Sequence, residues 1–227
     1  NPFRYTHALI DYAARKGVRI YEHTEMNGQH YDKEKDKMII STKNGYSIQA
    51  RHVIFAAGYE GIEIKQEKKA SFVSTFTVTT NQVDDLSDWY NRTLIWETAR
   101  PYIYMRTTND NRIIIGGLDD NTNYPEDRDS KLVNKRNLLI EELNKRFPTI
   151  NAQAEYYLTA FYGGIVDGIP IIGQYEDFPS CYFLFAFGDN GTVYSQLLSK
   201  IIATDIIEGN SPDIDLYLQD RPLLNNN

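Results

Sequence analysis

The chain has 227 residues, a hydrophobic content of 41% and a formal net charge of −7, a composition that is typical of a folded globular protein and excludes a disordered one. No run of lysine and arginine offsets the acidic balance, so the sequence lacks the basic footprint of a nucleic-acid-binding protein. No stretch approaches the roughly 18 apolar residues of a membrane span, and the single cysteine, Cys181, leads us to expect a reducing, cytoplasmic compartment.

The first predicted element is a helix close to the start of the chain. Apolar residues recur at helical spacing between Ala8 and Ala13, and Gly17 stands where such a helix would end. Residues 18–23, VRIYEH, are then predicted to form a strand because β-branched and aromatic side chains predominate there.

A hairpin and a buried strand are predicted next. Residues 37–42 and 46–50 are apolar-rich runs that flank Asn44 and Gly45, and Asn-Gly between such runs is a strong hairpin signal. Residues 52–58, HVIFAAG, form a continuous apolar run that ends in glycine. This pattern is typical of a strand that is buried on both faces of a parallel sheet.

The middle of the chain has a different pattern. Residues 71–80 are rich in β-branched and aromatic side chains, and residues 101–108 and 112–117 form a second predicted hairpin. These runs predict an antiparallel sheet with one face covered. A helix is predicted over residues 130–147. Its apolar stripe consists of Leu132, Leu139, Leu143 and Phe147.

The last third returns to the first pattern. Residues 167–173, DGIPIIG, predict a turn and a short strand, and residues 182–187, YFLFAF, predict a further buried strand before a long helix. We therefore predict an α/β (α+β) fold with two interleaved domains. One is built from residues 1–70 and 159–227 around a parallel sheet, and the other from residues 71–158 around an antiparallel or mixed sheet.

Three short segments place glycine at the end of a predicted strand. The most suggestive is Gly-Asp-Asn-Gly at residues 188–191, because the free N–H groups and partial positive charge of a helix N-terminus can bind an anion. The others are the turn at residues 167–173 and the strand end at residues 56–58. Plainer alternatives are a helix capped by Asn190, a turn with a strand, and strand–helix packing. No metal site is predicted, because no His or Cys stands at ligand spacing near the aspartates of the polar loop.

These segments together resemble a known family. In the order seen in FAD-dependent amine and amino-acid oxidoreductases, the chain contains NPFRYTHALIDYAARKGVRIYEHTEM, ARHVIFAAG, RIIIGG, DGIPIIG and YFLFAFGDNGTVYSQLLSKIIATDIIEG. This family includes D-amino-acid dehydrogenase, glycine oxidase and sarcosine oxidase. The resemblance implies an incomplete FAD-binding domain at residues 1–70 and 159–227, and a substrate domain at residues 71–158.

The cofactor implied by the resemblance is FAD. The implied reaction oxidises the C–N bond of a small amine or amino acid, of the D-amino acid, glycine or N-methyl amino acid class, by hydride transfer to the flavin. Carried over residue by residue, the cofactor-binding positions are Met26 near the adenine, Ala57 and Gly58 along the cofactor, Asp167 and Gly168 in the turn under the flavin, and Gly188, Asp189, Asn190, Gly191 and Thr192 at the helix start.

Two departures from the family pattern limit these expectations. The Gly-x-Gly-x-x-Gly loop that begins dinucleotide binding is absent, so we expect a fragment that binds FAD poorly on its own. A carboxylate beside a reduced, anionic flavin is unfavourable. Asp189 is therefore expected either to point to solvent or to mark a site that no longer holds flavin in the usual way.

The second departure concerns the substrate. Several relatives carry an arginine shortly before the Asp-Gly-x-Pro turn to clamp a carboxylate, and here none stands there. Tyr102, Tyr104 and Arg106 alternate onto one strand face and are the predicted substrate residues, with Arg100 as a further candidate and a packed or solvated sheet face as the alternative. No general base is named. A non-catalytic binding module and a flavoprotein acting on a hydroxy acid remain alternative functions.

Overall fold

The computed structural model describes residues 1–122, 124–188 and 190–222 of the chain. In that part of the chain the helices are α1 (Pro2–Arg15), α2 (Gly61–Ile64), α3 (Pro125–Arg146) and α4 (Gly191–Glu208). The strands are β1 (Met26–Asp32), β2 (Lys37–Thr42), β3 (Ser47–Ala50), β4 (Val53–Phe55), β5 (Ala70–Thr80), β6 (Ile95–Trp96), β7 (Ile103–Thr107), β8 (Ile113–Asp120), β9 (Ala154–Ile165), β10 (Ile171–Gly173) and β11 (Cys181–Phe185).

The chain divides into two compact units. Asn1–Lys69 and Ile165–Asn227 form the first, which we name the terminal unit, and Ala70–Gly164 form the second, which we name the central unit. The mixed helix and strand content, arranged in several sheets, confirms the predicted α/β class. No helix within the described residues combines the length and the apolar character that crossing a bilayer requires.

Helix α1 opens the terminal unit as the spacing predicts. Asn1 caps it by accepting a hydrogen bond from the Arg4 N–H at 3.3 Å, and Gly17 follows its end at a φ of 94°. The helix buries none of its residues, and the side chains of Leu9 and Ile10 remain 40% and 42% exposed.

The predicted strand at residues 18–23 is wrong. These residues form no strand and lead into β1. The sequence did not predict β1. A strand exists only when a neighbour accepts and donates its backbone hydrogen bonds, and no described segment pairs with residues 18–23. The apolar side chains of Val18 and Ile20 accordingly stay 56% and 45% exposed.

The predicted Asn-Gly hairpin is confirmed. Strands β1, β2 and β3 form a three-stranded antiparallel sheet, and Gly45 takes a φ of 82° in the turn between β2 and β3. Alternate side chains of β2 are buried on one face, with Met38 and Ile40 only 2% and 9% exposed.

The second sheet of the terminal unit has the order β10-β11-β4. Strands β11 and β4 are parallel, with Val53 opposite Cys181 and Phe55 opposite Phe183, whereas β10 is antiparallel to β11. The expectation that β4 is buried on both faces is wrong. Ile54 is 49% exposed, because β4 is the edge strand of the described sheet.

Helix α4 covers one face of this sheet. One face of the helix is buried: Leu198, Ile201 and Ile202 pack in a core cluster with Ile172 and Tyr182 of the strands. Each such fully buried aliphatic side chain stabilises the fold by about 1.5–3 kcal/mol. Two other apolar side chains of the helix stay exposed, Val193 at 67% and Leu197 at 40%. Gly209, at a φ of 77°, closes the helix.

The central unit contains a five-stranded sheet of order β6-β7-β8-β5-β9. Strand β8 is antiparallel to both β7 and β5, as predicted. Helix α3 packs on one face through Leu139 and Leu143, which are 0% exposed and meet Phe76, Ile113 and Ile115. The predicted apolar stripe of α3 is confirmed, because Leu132 and Phe147 pack against the same core.

Candidate functional site

The carboxyl ends of β4 and β11 lie side by side, because the two strands are parallel neighbours in register. Gly58 follows β4 at a φ of 59°, and Gly188 follows β11 at a φ of 112°, conformations that glycine adopts without steric cost. A Cβ atom added at either glycine would meet nothing within 4 Å. This edge of the sheet therefore exposes backbone with open space above it.

Helix α4 begins immediately beyond Gly188. Its N-cap residue is Asn190, and the side chain of Asn190 makes no capping hydrogen bond, contrary to the plainer interpretation of this turn. The Asn190 side chain thus leaves the first N–H groups of the helix and the positive end of its dipole free to face a ligand. Asp189 lies outside the described residues.

A third segment reaches the same edge. Strand β10 is antiparallel to β11 and pairs Ile171 with Phe185, so β10 begins where β11 ends. The turn at residues 167–170, with Gly168 at a φ of 77°, leads into β10 from that end of the sheet. The topology thus brings together three of the predicted segments, those around Gly58, Gly168 and Gly188.

The carboxylate of Asp167 is used inside the protein rather than presented at this edge. Nε and Nη2 of Arg221 donate to its two oxygens at 2.9 and 2.8 Å, the bidentate geometry that makes arginine–carboxylate pairs strong. The Arg221 side chain is 2% exposed and the Asp167 side chain is 9% exposed. Arg221 also donates to the carbonyl oxygens of Ile169 at 2.7 Å and Pro170 at 3.0 Å, so one guanidinium holds the whole turn.

The ion pair keeps Asp167 charged. Burial acts to raise the pKa of Asp167, but the hydrogen bonds from Arg221 and from the Ile169 N–H outweigh burial and hold that pKa below its usual range. The sequence gives no signal for this contact, because the two residues are 54 positions apart. Only the backbone of the turn is left to face a ligand.

Aromatic rings connect two of the strand ends. Tyr59, directly after Gly58, has its ring centroid 5.0 Å from that of Phe187, directly before Gly188. Phe187 is 4% exposed and in turn lies 5.6 Å from Phe185. The sequence analysis did not single out Tyr59, although its position next to a strand-end glycine is a signal that could have identified it.

Met26 lies elsewhere in the terminal unit. It is the first residue of β1 and pairs with Thr42 across an irregularity in the register. Its predicted proximity to an adenine stays a prediction.

The predicted substrate residues share one face of the central unit. Ile103 and Met105 of β7 are buried under α3, so Tyr104 and Arg106 lie on the opposite face. The rings of Tyr102 and Tyr104 are 6.1 Å apart. The Tyr104 hydroxyl is 3.2 Å from the Thr77 hydroxyl, and Arg106 is exposed.

Tyr102 directly precedes the first residue of β7 and is the first member of this row. It is buried, and the guanidinium of Arg100 lies 4.6 Å from its ring centroid. The neighbouring Gly117 has a φ of 124°, and a Cβ atom there would lie 2.1 Å from the Tyr102 carbonyl oxygen. Only glycine permits this close approach of the two backbones. Tyr104 is half-buried and Arg100 and Arg106 are exposed, so this face presents one phenol ring and two guanidinium groups to a ligand.

Comparison with known proteins gives one family and a set of solved structures. Residues 1–204 match the sequence profile of a family described as FAD dependent oxidoreductase, DAO. A search of curated proteins finds no match.

The solved structures share the fold at low sequence identity. L-proline dehydrogenase from P. horikoshii has a TM-score of 0.72 at 18% identity, over 97% of this chain and 59% of that one. Glycine oxidase from Geobacillus kaustophilus has a TM-score of 0.61 at 19% identity, over 87% and 51%. L-amino acid deaminase from Proteus myxofaciens, in complex with anthranilate, has a TM-score of 0.68 at 16% identity, over 94% and 59%. The chain thus spans between 51% and 59% of the length of these three proteins.

Proposed function

The chain belongs to the family of FAD-dependent oxidoreductases, and from this membership we propose that it forms part of a flavoenzyme that oxidises the C–N bond of a small amine or amino acid. The observation that carries the proposal is the bare edge of the β10-β11-β4 sheet. Three glycine-bearing segments meet there beside a helix N-terminus that the Asn190 side chain does not cap. Ligands of open α/β sheets bind at the carboxyl ends of the strands.

The residues present fit FAD. The space above Gly58 and Gly188 is open, and a Cβ atom at either position would point into it without meeting protein. A flat ring system needs such close access to backbone. We propose that Ala57, Gly58, Gly168, Gly188, Asn190, Gly191 and Thr192 contact the cofactor, and that the start of α4 stabilises negative charge on it.

The proposed roles of Asp167 and Arg221 are structural. Both carboxylate oxygens of Asp167 accept from Arg221, so Asp167 would support the cofactor through the backbone of its turn. Met26 would approach the adenine end of the cofactor through its backbone. When bound, FAD would supply the oxidising group, which takes up a hydride equivalent from the carbon that bears the nitrogen.

For the substrate we propose the face of Tyr102, Tyr104 and Arg106. A guanidinium pairs bidentately with a carboxylate, and phenol rings can pack against an aliphatic or aromatic side chain. The names of the three solved relatives, a proline dehydrogenase, a glycine oxidase and an amino acid deaminase, support an amino-acid substrate. The D-amino acid, glycine and N-methyl amino acid classes are the finer candidates. Binding and orienting this substrate would be the main work of the chain's own side chains.

Cofactor binding is tested with the full-length gene product and two alanine variants. Gly188→Ala places a methyl group in the proposed flavin space, whereas Gly209→Ala changes a glycine of similar backbone type, φ 77°, at the other end of α4. Each variant should lose about 1–2 kcal/mol of stability from the left-handed backbone. We expect only Gly188→Ala to weaken flavin retention, measured by absorbance near 450 nm and by equilibrium dialysis.

The outcomes separate the alternatives. Equal flavin retention by both variants would contradict the placement of the flavin over Gly188. A full-length protein that takes up no flavin would contradict the oxidoreductase function and favour a non-catalytic binding module. Flavin that is bleached by hydroxy acids but not by amino acids would move the substrate to the alternative class.

The substrate face is tested with Arg106→Gln against Arg100→Gln. Loss of a charge-assisted hydrogen bond costs about 1.5–3 kcal/mol, so Arg106→Gln should raise KM for an amino acid roughly 10- to 100-fold. The same variant should leave KM unchanged for the amine that lacks the carboxylate. If Arg100→Gln shows this pattern instead, Arg100 is the carboxylate ligand.

The cytoplasmic location also stays a proposal. Its support is the state of Cys181, which is 3% exposed and free. Disulfides are rare in reducing compartments, where thiols of this kind persist.

A further inference from the structure

A cavity lies at the edge of the β10-β11-β4 sheet that is opposite the glycine segments. It has a volume of about 370 Å³ and is lined by residues that precede or begin β4 and β11, together with Asp205 of α4. Because the two strands are parallel, this amino-terminal edge is the end away from Gly58 and Gly188. The volume equals that of about a dozen water molecules and falls in the range of small-ligand pockets.

The wall of this cavity carries a carboxylate that lacks a cationic partner. Oδ2 of Asp205 accepts from the Tyr182 hydroxyl at 2.8 Å, and Oδ1 accepts from the Ser211 N–H at 3.1 Å. Throughout residues 1–122, 124–188 and 190–222, no Lys, Arg or His nitrogen forms an ion pair with Asp205. Both donors are neutral groups, so they satisfy the carboxylate without neutralising its charge.

The position of Asp205 in its helix makes this wall more negative. Asp205 stands in the last turn of α4, where the carbonyl groups give the helix dipole its negative end. The phenol of Tyr182 and the thiol of Cys181 keep their protons at pH 7, so they are uncharged and Asp205 supplies the charge of this wall. Burial, with the hydrogen bond to Asp205, raises the pKa of Tyr182 to about 12, and burial raises the pKa of Cys181 to about 11.

The remaining walls are largely aromatic. Tyr175, Phe178, Tyr182 and His52 line the cavity, and the His52 and Tyr182 rings are 6.5 Å apart. Aromatic faces attract cations, and the effect grows when the cation is desolvated. The chain already uses two of these rings in this way: the Lys65 ammonium lies 4.6 Å from the Tyr175 centroid and 5.6 Å from the Phe178 centroid.

We propose that this cavity binds a small organic ammonium ion, with the charge at Asp205 and the apolar body against the Tyr182, Phe178 and His52 rings. A carboxylate without a cationic partner disfavours anions in the cavity, and a neutral ligand gains from Asp205 at most a hydrogen bond, without the attraction between opposite charges. The site is separate from the glycine edge and does not depend on the proposed oxidoreductase function.

The test uses benzylammonium as the probe and the neutral benzyl alcohol as its isostere. The chain has 4 histidines, so proton NMR gives few imidazole signals, and His52→Gln identifies the one that reports on the cavity. We expect benzylammonium to shift the His52 signal saturably with a Kd in the millimolar range or below. Benzyl alcohol should bind at least tenfold more weakly at the same reporter.

Two substitutions that each remove one negative charge test whether the Asp205 carboxylate binds the ammonium group. Asp205→Asn removes the charge in the cavity, and Asp213→Asn removes the charge of an exposed residue nearby. We expect Asp205→Asn to weaken benzylammonium binding at least tenfold and Asp213→Asn to leave it unchanged. Tyr182→Phe keeps the carboxylate while removing one internal donor, so binding should be kept or strengthened. That variant decides the question if Asp205→Asn does not fold.

Three results would overturn the proposal. One is an equal response of the His52 signal to benzylammonium and benzyl alcohol. Another is binding that Asp205→Asn and Asp213→Asn change to the same extent. The third is loss of binding in a folded Tyr182→Phe protein, which would assign recognition to the hydroxyl rather than the carboxylate.

Discussion

Arg221→Met should be among the most destabilising single changes in the terminal unit. The Arg221 side chain is 2% exposed, and it donates two hydrogen bonds to Asp167 and three to backbone carbonyl groups. Methionine fills similar volume but donates nothing, so the Asp167 carboxylate is left buried without its ion-pair partner and keeps the hydrogen bond from the Ile169 N–H at 3.1 Å. Removing one partner of a buried ion pair costs about 3–5 kcal/mol.

The assay is urea unfolding followed by circular dichroism, with Lys43→Met as the matched control. Lys43 also forms an ion pair, with Glu25 at 2.5 Å, but both side chains are more than half exposed, at 58% and 66%. Exposed pairs are worth about 0–1 kcal/mol, so this variant should unfold almost as the wild type does. For a chain of this size the Arg221→Met deficit corresponds to a fall of roughly 6–20 °C in Tm.

The pH dependence gives the same argument a second test. In the wild type the pKa of Asp167 is lowered, so the stability that the pair contributes is present above the unfolded value of about 3.9 and is lost as pH falls through the lowered folded value. In Arg221→Met burial without the guanidinium raises the pKa of Asp167. Protonation then relieves the buried charge, so the deficit of the variant should shrink as pH falls from 7 to 4.

The reasoning would be refuted by a loss of less than about 1 kcal/mol, the range of an exposed pair, or by a deficit that is independent of pH. The first result would mean that the turn at residues 167–170 does not depend on Arg221. The second would mean that the Asp167 carboxylate is not the group left unpaired. Asp167→Asn combined with Arg221→Met should recover part of the loss, because no buried charge then remains.

Three further predictions use neighbouring or similar positions as controls. Leu139→Ala should lower the free energy of unfolding by about 2–5 kcal/mol, because the Leu139 side chain is fully buried against the central sheet. The control Leu138→Ala, at an adjacent residue that is 38% exposed, should lower it far less when both variants are unfolded in urea. Gly117→Ala should prevent stable folding, because its Cβ would lie 2.1 Å from a backbone carbonyl oxygen, while Gly168→Ala, which has open space, should cost only about 1–2 kcal/mol; similar melting temperatures for the two would contradict the close backbone approach. Cys181, 3% exposed and with a pKa raised to about 11 by burial, should react with Ellman's reagent at pH 8 only as fast as the protein opens, and rapid labelling of the folded protein would show that the thiol is accessible.

Local patterns determined much of the fold. Helix α1 and the β2–β3 hairpin follow from side-chain spacing and from residues that permit a turn, such as Gly45. Both are short-range features, so the chain around them is sufficient information. The apolar stripe of α3 was equally predictable, because a period of 3.6 residues places Leu139 and Leu143 on the same face of the helix.

The predicted strand at residues 18–23 shows where this information ends. Its β-branched side chains favour an extended backbone, but strand pairing requires a hydrogen-bonding neighbour that no local pattern supplies. The exposure of Ile54 has a similar cause. A continuous apolar run does not indicate whether its strand lies at the centre or at the edge of a sheet.

The sequence by itself determined the glycines of the candidate site, the helix start beside them and the family, because these are properties of short segments and of their order. Only the tertiary structure decided that Gly58, Gly168 and Gly188 meet at one sheet edge, because parallel register between β4 and β11 is a contact across more than 120 residues. It also decided that Asp167 faces Arg221 and that Asp205 lines a cavity while forming no ion pair with any residue that the structure describes. The charge state and the access of a carboxylate depend on which residues surround it in space, and sequence order does not specify those neighbours.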